Sequence, residues 1–467
     1  MVASTFQSQV STRRVYVLGA LAAVLFGYDM AIIGAALLFI KNDLPITDWW
    51  TGAVASAVML GAMVGALGSG PLADRQGRQR LLLVAAVVFA VGAAGTGLAT
   101  SLAMLVSFRF ILGLAVGIAS VMVPLYLAEM APARDRGVVT SLNQYMFIVG
   151  VALASAVGFG LAFASSWRWM LLIGVIPAIV LLIGMLGMPD TPRSLVRRGL
   201  PDQGRAVLVG LRGDPVRADR ELTEIVELER LQRTAHTRAR LSSPWVRRLL
   251  LLGAGLAVFQ QITGINAIVY YQPTVLTGLG MSDTTALLFG FVNGLVNIVT
   301  IALVVRSKVV DRRGRKPILL VGLVGMSVSL LALGVAALVL PVNSTALFVT
   351  AVAAIVVFTN TFSATWGPVL WVQLAEIFPL AIRGSAMAIA TLFNWLAAFM
   401  VTLTFPALTA LAGVGTVFIA YAVAGVVVFP IVWWVVPETK ERSLESLEAA
   451  FRDGTRIRTA ADTGGTA

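Results

Sequence analysis

Two charges stand alone in stretches of chain that are otherwise apolar. Asp29, in Phe26-Gly27-Tyr28-Asp29, lies midway along the first long apolar segment, and Arg109 lies about seven residues into the fourth. A carboxylate removed from water favours its protonated form, and a guanidinium brought near it favours the ionised form. Such a pair can take up a proton in one setting and release it in another. The same pair can also be a permanent salt bridge that only ties two helices together. Charge inside a membrane span is costly and tends to be kept for function. Counted at 1.5 Å of helix rise per residue, both residues fall in the same, outer half of a membrane.

A second polar set sits in the seventh apolar segment: Gln260, Gln261, Asn266, Tyr270 and Tyr271, with Thr263 and Gly264 among them. A carboxamide carries both donors and an acceptor, which suits a polyhydroxylated ligand. At 100° per residue, Gln260, Gln261, Asn266 and Tyr270 spread over roughly 220°, too wide for one face of an unbroken helix. Gly264 offers a place to unwind, and discontinuous helices line transporter sites. Trp371 and Trp395 add flat apolar surfaces of the kind that stack on a pyranose ring. Taken singly, each of these residues could equally serve interhelical bonding or packing.

The remaining charges recur. Gly68-x-Gly70-Pro71-Leu72-Ala73-Asp74-Arg75-Gln76-Gly77-Arg78 returns about half a chain later as Asp311-Arg312-Arg313-Gly314-Arg315-Lys316. Glu129 with Arg136-Gly137 returns as Glu376 with Arg383-Gly384 at nearly the same offset. Two unrelated features repeating together indicate duplication, and duplicated helical bundles with charged loops are how secondary transporters are built. The opposite charges at helix ends suggest a gate in which Asp74, Arg75, Arg78, Asp311, Arg312 and Arg315 pair with Glu129, Arg136, Glu376 and Arg383. That gate is expected to hold the cytoplasmic side closed in the outward-open state.

The elements that position these residues follow from composition. Of 467 residues, 58% are hydrophobic and 12% charged, and mean hydropathy is +0.88. A soluble chain of this size carries about a quarter charged residues. Twelve spans are read at 15–40, 51–72, 81–99, 102–127, 138–163, 168–187, 247–276, 284–309, 317–338, 346–373, 384–411 and 415–436. The net charge of +12 falls almost wholly in alternate loops, with Lys41 and Arg168 on the opposite side, so both termini are expected in the cytoplasm. That asymmetry accounts for the charge without nucleic acid. The first fourteen or so residues show no signal-peptide cleavage pattern, so the first span is expected to remain.

The fold class is thus an all-α membrane protein of twelve transmembrane helices. Two pseudo-symmetric six-helix halves (1–188 and 247–436) flank a cytoplasmic helical linker (189–246), with a cytoplasmic tail at 437–467. Within the linker, Glu221 to Leu231 has the apolar spacing of a short amphipathic helix, and the tail is expected to carry a short helix to Phe451. Small residues Gly61, Gly65, Gly68, Gly113 and Gly117 are read as helix-packing positions. With no Cys and only His236, thiolate or imidazole metal sites and cysteine catalysis are excluded. No Walker-type loop is present, so the energy source must be a gradient and no enzyme activity is expected.

The motifs resemble those of the major facilitator superfamily, sugar porter family, over nearly the whole chain. They are Gly68-x-Gly70-x-Leu72-x-Asp74-Arg75-x-Gly77-Arg78, Pro124-x-Tyr126-x-Ala128-Glu129 and Pro189-Asp190-Thr191-Pro192-Arg193. In the second half they are Gln260-Gln261-x-x-Gly264-x-Asn266, Asp311-x-x-Gly314-Arg315, Gly367-Pro368-x-x-Trp371 and Pro437-Glu438-Thr439-Lys440. The resemblance implies alternating access and a set of monosaccharide ligands: Gln144, Gln260, Gln261, Asn266, Tyr270, Asn297, Gly367, Trp371, Asn394 and Trp395. It assigns proton coupling to Asp29 with Arg109, because bacterial proton-coupled members carry Asp where animal facilitative glucose carriers carry Asn. Val151 and Asn394 follow the glucose-carrier pattern, so the implied cargo is a hexose, D-glucose first. A pentose such as xylose, a polyol such as inositol, and passive uniport are the alternatives. The expected partners are a monosaccharide, a proton and the lipid bilayer. The expected form is a monomer with no cofactor and no metal, and Arg-rich, Lys-poor composition with short external loops favours a bacterial inner membrane.

Overall fold

In a bilayer, apolar runs of this length can satisfy their backbone only within themselves, and each does so as a helix. The computed structural model describes residues 12–132, 136–234, 243–307, 309–379 and 382–440, without the side chains of 12–14, 136–141, 231–234 and 311. All regular elements among these residues are α-helical. Twelve helical stretches are long and apolar enough to cross a membrane, from Val15–Asp43 to Val414–Val435. This is the number expected from the apolar runs.

The chain divides into two compact units, Met1–Ile46 with Ala53–Thr237, and Thr47–Gly52 with Arg238–Ala467. The first six spans are α1 (Thr12–Asp43), α2 (Asp48–Gln76), α3 (Arg78–Gly97), α4 (Leu102–Met130), α5 (Arg136–Ala162) and a sixth made of α6 (Trp167–Leu172) and α7 (Val175–Leu186). The linker forms α8 (Pro192–Arg197), α9 (Pro201–Arg212) and α10 (Pro215–Thr234), which belong to the first unit. The expected amphipathic helix is the middle of α10, and its apolar stripe is only partly covered. Leu222 and Ile225 are half-buried on the same face as buried Glu229, while Val226 and Leu228 are exposed.

The second unit carries α11 (Pro244–Ile262) and α12 (Ile265–Gly278) as the seventh span, then α13 (Asp283–Ser307), the short α14 (Val309–Arg313) and α15 (Arg315–Val339). The tenth span is α16 (Thr345–Ala364) and α17 (Trp366–Ile377), followed by α18 (Arg383–Ala412) and α19 (Val414–Val435). The seventh span breaks at the place Gly264 offered for unwinding, where that residue adopts φ +87°, ψ 13°, a left-handed conformation natural to glycine. The tenth breaks at Thr365 (φ −127°, ψ −89°). Pro368 has no N–H for the Ala364 carbonyl, and its ring crowds that carbonyl.

Close helix approach follows the small residues. A Cβ on Gly61 or Gly65 of α2 would strike the carbonyl of Phe110 or Leu114 on α4, and one on Gly113 or Gly117 would strike Val58 or Ala62. Gly68 is the exception, with only the Leu72 side chain near it at 3.9 Å. The expected tail helix to Phe451 and the single His236 lie outside the described residues.

Candidate functional site

In the first unit, α1 and α4 bring the two isolated charges together. Arg109 is 0% exposed and Asp29 2%, and Arg109 Nη1 donates to Asp29 Oδ1. The guanidinium also donates through Nε to the Val54 carbonyl at 3.2 Å and through Nη2 to the Ala55 carbonyl at 3.5 Å, both on α2. Asp29 Oδ2 is buried with no hydrogen-bond partner among the described residues. A bare carboxylate oxygen in a water-poor interior is costly, and protonation of that oxygen would relieve the cost. The neighbouring Tyr28 hydroxyl donates to the Met170 carbonyl at 2.7 Å, fixing α1 against α6.

In the second unit, the break at Gly264 turns the amides of α11 and α12 toward one another. Asn266 Nδ2 donates to Gln261 Oε1 (2.6 Å), Gln261 Nε2 to Gln260 Oε1 (3.3 Å), and Gln260 Nε2 to the Trp366 carbonyl (2.9 Å). Asn394 of α18 donates to Gln260 Oε1 at 3.0 Å and to the Ala257 carbonyl at 3.1 Å. Four of the expected ligands thus form one buried chain of carboxamides. Each remains able to bond a hydroxyl by exchanging a neighbour.

The other expected ligands are placed less directly. Tyr270, Trp395 and Gly367 are buried, and Trp371 is half-buried on α17. Asn297 is half-buried on α13, and its Oδ1 has no hydrogen-bond partner among the described residues. One turn earlier, Asn293 was passed over in the sequence although it is buried and its Oδ1 accepts from Thr359 Oγ1 at 3.2 Å. Gln144 is half-buried on α5, in the first unit. Tyr271 donates its hydroxyl to the Thr402 carbonyl at 2.7 Å and stacks on Phe405 at 5.0 Å, which joins α12 to α18.

The charged cassettes pair within each unit. Arg78 Nη2 donates to Glu129 Oε1 at 3.2 Å, with Arg78 Nε 3.2 Å from Glu129 Oε2. In the second unit Arg315 Nη2 donates to Glu376 Oε1 at 2.8 Å. Asp74 engages Arg197 of the linker and lies 3.6 Å from Arg78. Arg383 donates to the Phe378 carbonyl at 3.2 Å, and Arg75 and Arg312 are exposed. The side chains of Arg136 and Asp311 lie outside the described residues.

Several partners in these clusters had no individual place in the sequence reading. Thr191 and Thr439 donate to Glu129 and Glu376, and Gln373 Nε2 donates to the Pro437 carbonyl at 2.9 Å. In the linker, Glu229 accepts from Arg193 Nε at 2.7 Å and Arg197 Nε at 3.0 Å. Burial pushes the Glu229 carboxyl up, but the bonds from Arg197 and Arg193 outweigh it and hold the group below the usual glutamate range. The signal that could have found Thr191 and Thr439 is their shared place after Pro-Asp and Pro-Glu, one in each half.

The profile of the sugar (and other) transporter family matches residues 15–451. The chain is 41% identical to the D-xylose transporter of Levilactobacillus brevis over 95% of its length and 96% of that protein's. It is 38% identical to the glucose transporter GlcP of Staphylococcus epidermidis, over 95% of its length and 98% of that protein's. Among solved structures, the Escherichia coli xylose transporter XylE in a partially occluded inward-open conformation aligns with a TM-score of 0.81 and 29% identity, covering 92% of this chain and 99% of that one. The same protein, described as a major facilitator superfamily proton:xylose symporter bound to 6-bromo-6-deoxy-D-glucose, aligns with a TM-score of 0.77 and 30% identity, covering 94% and 99%. With twelve spans, the matching fold and the matching motifs, the chain is a multi-pass membrane transporter rather than an enzyme, and it belongs to the sugar transporter family of the major facilitator superfamily.

Proposed function

We propose that the protein imports a hexose, D-glucose first, together with a proton by alternating access. The observation that carries the reading is the bare Oδ2 of Asp29 beside Arg109. It is a place for one proton in an otherwise apolar setting, and Arg109 favours its release. The carboxamide chain from Asn266 to Gln260 supports a polyhydroxylated cargo, with Gln144, Asn297, Gly367, Trp371 and Trp395 as further ligands. Val151 and Asn394 favour glucose, while the relatives named for xylose make a pentose the main rival; a polyol such as inositol is the other. The charge asymmetry of the loops supports both termini on the cytoplasmic side of the membrane, and the protein acts as a monomer.

One observation favours a second reading, passive uniport. Arg109 is anchored by the carbonyls of Val54 and Ala55 as well as by Asp29, as a permanent salt bridge would be. Reconstituted protein separates the two. Symport requires that sugar addition draw protons in and that a pH gradient drive uphill accumulation. Sugar uptake that ignores the gradient rules symport out and leaves uniport. Counterflow of labelled D-glucose against pentoses, hexoses and polyols ranks the cargo; glucose competing no better than xylose or inositol ends the glucose assignment.

A further inference from the structure

The amide chain ends on a backbone atom, the carbonyl of Trp366, which accepts from Gln260 Nε2 at 2.9 Å. Trp366 is one of the largest fully buried side chains, and its indole Nε1 donates to the Leu319 carbonyl on α15 at 2.9 Å. It opens α17 immediately after the break at Thr365, which bonds back to α16 through its N–H to the Phe362 carbonyl at 3.2 Å and its hydroxyl to the Thr361 carbonyl at 2.6 Å. Its indole is seated against α15, where Gly322 leaves the room. A Cβ at Gly322 would meet Trp366 Cδ1 at 2.8 Å and press on Thr365 Oγ1.

Leu319 lies one turn beyond Arg315. The first turn of α15 is held by Glu438, which accepts from the backbone N–H of Arg315 and of Lys316 at 3.1 Å each. A short, fully bonded path therefore runs from the charged cluster along the first turns of α15, through the indole of Trp366, to Gln260. A helical turn is stiff along its axis because its own hydrogen bonds run that way. A displacement of the start of α15 is thus felt at the amide through one side chain.

We infer that Trp366 is a positioning residue of the cargo site, setting Gln260 through its carbonyl and tying that setting to the start of α15 through its indole. The inference rests on the sugar reading of the amide cluster. Trp366 itself need not touch the cargo.

The experiment measures equilibrium binding of labelled D-glucose, D-xylose, D-galactose and myo-inositol to purified protein in lipid nanodiscs. Trp366→Phe keeps an aromatic ring and removes the N–H donor, and loss of that buried bond is expected to weaken binding about tenfold. The second reading is a double-mutant cycle with Glu438→Gln, which loosens the start of α15 without touching the amides. Glu438→Gln should weaken binding in the parent protein and have little further effect once Trp366 is Phe. Non-additivity of this kind marks a shared path, whereas a merely structural role gives additive losses. If Trp366→Phe does not fold, β-(3-benzothienyl)alanine at 366 replaces the N–H by sulfur at constant shape, and the same loss is expected. Unchanged affinity in a folded variant, or strict additivity, overturns the inference while leaving the sugar reading intact. A parent protein that binds none of the four ligands fails the sugar reading and the inference with it.

Discussion

Asp190 and Glu438 make the same contacts in the two halves. Asp190 Oδ1 accepts from the backbone N–H of Arg78 and Gln79, at 3.0 and 3.3 Å, at the start of α3. Glu438 does the same for Arg315 and Lys316 at the start of α15. The first N–H groups of a helix have no partner within it and carry partial positive charge, so a carboxylate there is stabilising. The threonine that follows each carboxylate donates to the helix-end glutamate, Glu129 or Glu376. The duplicated cassette therefore has a third member, Pro-Asp-Thr in one half and Pro-Glu-Thr in the other.

Removing that cap should loosen both halves. Asp190→Ala is expected to cost about 1 kcal/mol, the usual loss for a helix cap, and Glu438→Ala a similar amount. Thermal melts of the purified variants check the size. Cysteine accessibility at the Arg-rich loops checks whether the population of open states shifts as well. Unchanged accessibility would leave the clusters as structural caps with no gating part.

Asp29→Asn should abolish uphill accumulation while leaving counterflow largely intact. Exchange needs only the loaded carrier to reorient, whereas net symport needs Asp29 to lose its proton inside and return. Accumulation that survives the substitution removes Asp29 from proton coupling. Loss of counterflow together with accumulation points to a structural ion pair.

Gln261→Ala removes the acceptor of Asn266 and a donor to Gln260 at once. Each buried polar group left without a partner costs about 1–3 kcal/mol, so measurable uptake should vanish. Initial-rate uptake in proteoliposomes reads this directly, with Asn293→Ala as a comparison outside the amide chain.

Gly264→Ala meets two obstacles. Its φ of +87° is unfavourable for any residue with a Cβ, at about 1–2 kcal/mol, and that Cβ would sit 2.9 Å from the Tyr421 ring. Both stability and uptake should fall. Pairing it with Tyr421→Ala should relieve the contact but not the backbone strain, so recovery will be partial.

The linker should respond to acid. Glu229 is held below the ordinary glutamate range by Arg197 and Arg193 against the upward push of burial. A depressed carboxylate contributes stability that is complete above its unfolded value, about 4.3, and lost as pH falls through the lower folded value. Melting temperature should thus decline below about pH 4 more steeply in the parent than in Glu229→Gln, which is less stable at neutral pH but has lost this titration.

The spans and the seventh-helix break were legible because apolar length and amide spacing are local properties. Gln260 and Asn266 cannot share a narrow helical face, so the chain itself announces the interruption. The break at Thr365 was not legible. Pro368 marks it, but Pro124 sits inside α4 without ending it, and a proline alone does not say which case applies. The partner of Asp74 was also hidden: Arg197 is distant in sequence and lies in a linker rich in arginines, where composition names many candidates. In α10 the apolar periodicity located the helix, but gave no sign that the face carrying Leu222 and Ile225 would also bury Glu229 against Arg193 and Arg197. Asn343-Ser344-Thr345, which has the form of a glycosylation sequon, has a simple structural use: Ser344 caps α16 by accepting from the Leu347 N–H at 3.2 Å.

The carboxamides of Asn266, Gln261, Gln260 and Asn394 bond one another. In the cargo site proposed for them, a hydroxyl that arrives would displace a bond of similar kind, and on leaving would let that bond re-form. Arrival and departure are thus close to an even trade, and neither the loaded nor the empty site is a deep well. A receptor built this way would be a poor one, because it could not hold its ligand for long. For a carrier that must let go on every cycle, shallow holding is what keeps turnover fast.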